Sequence, residues 1–144
     1  MIIPSNELIS PPERSRAIRF HNPRDGNRYL VARGILRYLI GNYLNRPPRS
    51  LTFGYGPYGK PFLAEDHGSR LFFNLSHAGG YALYAFTTGQ PVGVDLEKEA
   101  PTIGIEGLTR RFFSPLESSQ ILALPVLERV PAFFRTWTRK EAFL

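Results

Sequence analysis

The hydrophobic pattern changes period twice along this chain. Near the start, Ser10-Pro11-Pro12-Glu13 reads as a helix opening: Ser10 caps, proline fills the first turn and Glu13 completes a capping box. The short helix runs through Phe20 and is broken by His21-Asn22-Pro23. Asp25 or Asn27 then caps a longer helix that ends near Leu44. Its apolar positions, Leu30, Val31, Gly34, Ile35, Tyr38 and Leu39, pair at i, i+4 spacing, and Arg28, Arg33 and Arg37 mark the opposite face.

Pro47-Pro48 sits in a loop, and the apolar run Leu51-Thr52-Phe53 leads into a turn-rich stretch over 54–61. Residues 71–75, 81–87 and 92–96 read as strands, with Thr88-Gly89-Gln90-Pro91 as the turn between the last two, which predicts an antiparallel meander. Ser114-Pro115-Leu116-Glu117 is a second capping box. A final helix from about Pro131 carries Phe133, Phe134, Trp137 and Leu144 on one face. Helices, then a strand cluster, then helices predict an α+β fold.

The length of 144 residues suits one modest domain, and 42% hydrophobic content suits a packed core. No apolar run approaches the ~18 residues of a membrane helix. The first residues, Met1-Ile2-Ile3-Pro4, carry no basic n-region or long apolar stretch of a secretory signal. Cysteine is absent, which excludes disulfides, thiolate zinc sites and a cysteine nucleophile. The expected location is cytoplasmic, with no membrane partner. The net charge of +6 changes the picture more. It fits either a plain basic surface or a polyanionic partner such as nucleic acid or a phosphorylated small molecule. Residues 1–50 hold nine of the eighteen basic residues and three of the twelve acidic ones, so the later acids stand out.

Gly93-Val94-Asp95-Leu96-Glu97 places two carboxylates at i, i+2. In a strand they share a face, where they either form an exposed acidic edge or hold a hard cation such as Mg²⁺. Phe73-Asn74-Leu75-Ser76-His77 ends an apolar run in a hydroxyl and an imidazole. These can donate to phosphate oxygens or cap a turn, but as neighbours in an extended chain they do not form a nucleophilic pair. Lys60, in Gly59-Lys60-Pro61, is one of three lysines and is either a phosphate ligand or an ordinary turn residue. Pro61 stands where a P-loop needs Ser or Thr. In Trp137-Thr138-Arg139-Lys140-Glu141-Ala142-Phe143-Leu144, Glu141 lies one turn from Trp137 on an apolar face. It either reaches solvent at a helix boundary or has a partner such as a metal.

Taken in order, Gly-Lys-Pro, Asn-x-Ser-His, Gly-Val-Asp-x-Glu and Trp-x-x-Lys-Glu-Ala resemble the motifs of the 4′-phosphopantetheinyl transferase superfamily. The likeness is to its pseudodimeric Sfp type, and it runs from about Ile9 to Leu144. The resemblance implies two similar α/β halves related by a pseudo-twofold axis, with residues 1–90 as the first half and 91–144 as the start of the second. It implies transfer of the phosphopantetheine arm of coenzyme A to a serine of an acyl or peptidyl carrier protein, in lysine biosynthesis or secondary metabolism. Lys60, Ser76 and His77 match phosphate-contacting positions, and Arg16 and Arg28 lie at basic positions of the coenzyme-binding face. Asp95, Glu97 and Glu141 match the carboxylates around Mg²⁺ and are expected to converge on one ion. Glu141, or a water it holds, would act as base.

The final helix stops at Leu144 in mid-pattern, one residue short of a lysine in the family pattern, and the family's first strand is missing. The expectation is therefore a chain truncated at both ends, weak or inactive as a transferase on its own. The competing classes are an inactive relative and a non-enzymatic basic binding module. A nucleic-acid groove has no use for three converging carboxylates without a metal, so nucleic acid is not the expected partner.

Overall fold

Ser10 opens the first helix through both termini of its capping pair. Its backbone N–H donates to Glu13 Oε2 at 2.9 Å and its hydroxyl donates to the same oxygen at 2.8 Å. The computed structural model describes residues 8–57, 59–64, 70–100 and 104–143. The expectations for the first residues and for Leu144 lie outside that range.

Among the described residues the elements are α1 (Pro11–Ile18), α2 (Pro23–Leu44), a 3₁₀ turn (Pro48–Ser50), β1 (Phe53–Tyr55), β2 (Pro61–Leu63), β3 (Leu71–Ala78), β4 (Tyr81–Thr88), α3 (Ile105–Phe112), α4 (Pro115–Leu122) and α5 (Val126–Phe143). This is the α+β order the pattern predicts. They group into two compact units, residues 1–74 with 86–92, and residues 75–85 with 93–144.

In the first unit, Asn22 caps α2 by accepting from Arg24 N–H at 2.9 Å, with Pro23 in the first turn. The cap is neither Asp25 nor Asn27, because a proline preset to helical φ starts the helix three residues before a cap at Asp25 would. The buried side of α2 is Ala32, Arg33, Leu36, Arg37 and Ile40, while Val31 is 56% exposed. The helix is thus rotated from the face the apolar pattern marks. Two arginines point inward because Glu13, itself 3% exposed, accepts a charged hydrogen bond from each of them there. β1 and β2 pair antiparallel with Phe53 opposite Leu63 and Gly54 opposite Phe62. Sequence reading takes this stretch for a loop.

The hairpin β3–β4 turns on Gly79 and Gly80, both at positive φ (60° and 91°), the conformation of a two-residue type I′ turn. β3 reaches Ala78, so Ser76 and His77 lie inside a strand and not at its end. Residues 91–100 are irregular. The expected third strand over 92–96 is absent, and the Leu96 N–H goes to the Ser76 hydroxyl at 3.1 Å, a side chain where a strand would use a backbone carbonyl.

In the second unit, Ile105, Phe113, Ile121 and Phe133 form a core with Phe134 and Trp137 against it. The Ser114–Glu117 capping box is formed: Ser114 N–H donates to Glu117 Oε2 at 2.8 Å, and Glu117 N–H to Ser114 Oγ at 3.3 Å. α5 begins at Val126, five residues before the expected start, so Pro131 lies inside it. Pro125 is the residue that punctuates the chain there.

Candidate functional site

The five candidates of the second unit come from one strand, one irregular segment and one helix. Ser76 and His77 sit on β3, where neighbouring side chains alternate: Ser76 is half-buried and His77 exposed. Ser76 donates to Asp95 Oδ1 at 2.9 Å. Asp95 Oδ2 is buried and has no hydrogen-bond partner among the described residues. A buried carboxylate oxygen with nothing donating to it is costly unless a cation or donor joins it.

Gly93 brings this segment against the end of α5, since a Cβ at Gly93 would overlap the Ala142 carbonyl. Glu97 is exposed, and with the strand absent the i, i+2 rule no longer places it on the face of Asp95. Among the described residues no group of three or more His, Asp or Glu side chains is gathered to hold a metal ion. The convergence of Asp95, Glu97 and Glu141 expected from the sequence is not observed. Asp95 fits a divalent cation as one oxygen ligand, and a carboxylate with phosphate and water ligands suits Mg²⁺.

Glu141 lines a cavity of about 730 Å³ with Phe112, Glu117, Trp137, Lys140 and Phe143. Lys140 Nζ bonds Glu117 Oε2 at 2.8 Å and lies over the Phe113 ring at 5.3 Å. This clamp ties the start of α4 to the turn that carries Glu141, and it was not legible in the sequence. Lys140 first, then the Ser114 N–H and hydroxyl, hold the Glu117 carboxyl down from 4.5 to about 2. A carboxyl depressed in the folded state adds stability above its unfolded value and loses it as pH falls toward the folded one. Tm curves of the protein and of Glu117→Gln should therefore differ above pH 4.5 and converge as pH drops toward about 2. A gap that stays constant over that range would show the pair to be idle.

The candidates of the first unit are cations. Arg16 is exposed on α1, its guanidinium 5.5 Å from the Tyr29 ring and 5.6 Å from the Tyr55 ring. With Arg19 and Phe20 it borders a recess of about 420 Å³. Burial, with Tyr55 alongside, pushes the Tyr29 phenol up to about 12. Arg28 is exposed and pairs with Asp25 at 3.4 Å. Lys60 is exposed between β1 and β2, on a loop closed by Gly56 N–H donating to the Lys60 carbonyl at 2.9 Å.

Sequence comparison identifies the class. The family model for the N-terminal part of 4′-phosphopantetheinyl transferase matches residues 4–89, and that of the 4′-phosphopantetheinyl transferase superfamily matches residues 91–144. The chain belongs to this superfamily. It is 42% identical over 137 residues to 4′-phosphopantetheinyl transferase HetI of Nostoc, covering 94% of this chain and 58% of that protein. A putative 4′-phosphopantetheinyl transferase of Synechocystis is 39% identical over 95% of the chain and 56% of its own length. 4′-Phosphopantetheinyl transferase Sfp of Bacillus subtilis is 34% identical over 95% of the chain and 59% of its own length. The chain thus spans less than two thirds of each of these relatives.

Proposed function

We propose that this protein serves in the transfer of the 4′-phosphopantetheine arm of coenzyme A to a serine of an acyl or peptidyl carrier protein, with Mg²⁺, releasing adenosine 3′,5′-bisphosphate. The observation that carries the reading is the bare, buried Asp95 Oδ2 within Gly93-Val94-Asp95-Leu96-Glu97, in a chain of this superfamily.

In the reaction the carrier serine oxygen forms a bond to the phosphorus that bears the pantetheine arm. The anhydride P–O bond breaks, and its electrons leave with adenosine 3′,5′-bisphosphate. Glu141, or a water it holds, takes the serine proton. Asp95 would hold Mg²⁺ as one ligand, with Glu97 and Glu141 joining only if drawn toward it, and the ion when bound would polarise the diphosphate and offset its charge. Lys60 and the arginines Arg16 and Arg28 supply positive charge for the coenzyme phosphates, and His77 a further donor. A net charge of +6 favours encounter with an acidic carrier.

Intact-mass spectrometry of an apo carrier protein incubated with coenzyme A, Mg²⁺ and this protein tests the reading. The carrier should gain the mass of the arm. No gain with acyl or peptidyl carriers that a control transferase does load would overturn it, and salt-sensitive retention on single-stranded DNA would favour the binding-module class. Lys60→Ala should weaken coenzyme A binding about tenfold or more, the loss of one charged hydrogen bond. An exposed loop lysine contributes little to folding, so Tm should hold. Unchanged affinity in a calorimetric titration would remove Lys60 from the site.

A further inference from the structure

Ser76 Oγ makes two hydrogen bonds, and together they use the hydroxyl in a particular way. It donates to Asp95 Oδ1 at 2.9 Å and accepts from Leu96 N–H at 3.1 Å. A serine hydroxyl has one proton. That proton is spent on Asp95, and a phosphate oxygen, which only accepts, would have to take it away. Meanwhile the Leu96 N–H fixes the hydroxyl rotor, and β3 fixes the serine backbone. The Asp95 carboxylate is consequently held with one oxygen occupied and the other, Oδ2, buried and bare.

The geometry points to Ser76 as a positioning residue for Asp95: its hydroxyl orients the carboxylate so that Oδ2 is presented to a divalent cation. This rests on the transferase reading but departs from the phosphate contact that the resemblance implies for Ser76. Without the hydroxyl, Asp95 Oδ1 loses the Ser76 donor, and the carboxylate can turn about its Cβ–Cγ bond. Outer-shell hydrogen bonds of this kind typically set metal affinity by 10–100-fold.

The test uses Mn²⁺ as probe, followed by electron paramagnetic resonance with and without coenzyme A, on the protein and on Ser76→Ala, Ser76→Thr and Asp95→Ala. Ser76→Ala should weaken Mn²⁺ binding roughly 10–100-fold. Ser76→Thr, which keeps the hydroxyl, should recover most of it. Coenzyme A affinity measured in chelator should be the same in Ser76→Ala as in the unaltered protein. Circular dichroism and Tm identify a variant that fails to fold, and the threonine variant then carries the comparison. Unchanged Mn²⁺ affinity in Ser76→Ala, with a fall in metal-free coenzyme A affinity, would overturn the proposal in favour of a phosphate contact. Mn²⁺ binding that survives Asp95→Ala, or is absent in the unaltered protein, would also overturn it. Intact, Ser76-dependent Mn²⁺ binding in a protein that loads no carrier would instead count against the transferase reading alone.

Discussion

Glu13→Ala is expected to destabilise the first unit by about 3–5 kcal/mol, the cost of leaving buried charge without its partner. Glu13 is 3% exposed, and so are Arg33 and Arg37. Its Oε1 accepts from Arg33 Nε and its Oε2 from Arg37 Nε, each at 2.8 Å. Further arginine donors are also engaged. Arg37 Nη1 donates to the Pro48 and Leu51 carbonyls at 2.9 and 3.0 Å, and Arg33 Nη2 to Tyr55 Oη at 3.1 Å. Both guanidiniums lie against the Phe53 ring, at 4.4 and 5.0 Å. One carboxylate therefore joins α1, α2, the loop before β1, and β1 itself. Burial pushes its pKa up, but the Ser10 N–H, Arg37, the Ser10 hydroxyl and Arg33 outweigh it and hold the group below 4.5. The stability it adds is present above the unfolded carboxylate value and is lost as pH falls below it. Urea denaturation followed by circular dichroism measures the effect. A triple replacement, Glu13→Leu with Arg33→Met and Arg37→Met, should be far milder than Glu13→Ala, since an apolar set leaves no charge unpaired. A loss below about 1 kcal/mol in Glu13→Ala would show that water reaches the arginines and that the cluster is not a keystone.

The difference between what the sequence disclosed and what it hid follows from range. Both capping boxes, Ser10–Glu13 and Ser114–Glu117, were legible because their partners stand three residues apart. So were the long helix to Leu44 and the aromatic side of α5. The inward face of α2 was not. Arg33 and Arg37 read as polar, and only Glu13, 20 and 24 residues earlier, makes them interior. Gly54 and Pro61 hid β1 and β2, because both residues lower strand propensity. Asp95 stands out in the sequence on a strand argument the structure does not support. Its distinction comes from Ser76, 19 residues away on β3. Nothing in a single sequence pairs those two positions.

Gly93→Ala is expected to disable the candidate site more severely than its single added methyl suggests. The new Cβ would overlap the carbonyl oxygen and carbon of Ala142, which are backbone atoms of α5 and cannot step aside as a side chain would. Either the last turn of α5 or the 93–97 segment must move. Overpacking of this kind costs about 1–3 kcal/mol. The larger effect is on geometry. Asp95 lies two residues past Gly93, bonded to Ser76, and Glu141 immediately precedes Ala142. A displacement of ~1 Å between groups that must act together can cost ~100-fold in rate. Gly107 supplies the control. It lies within α3, and a Cβ there meets nothing within 4 Å. Gly107→Ala should leave the site untouched and stabilise the helix by roughly 0.5–1 kcal/mol. Tm, Mn²⁺ affinity and carrier loading should all fall in Gly93→Ala and hold or rise in Gly107→Ala. A Gly93→Ala protein that binds Mn²⁺ as the unaltered one does would show that the contact with Ala142 is not what sets Asp95 in place.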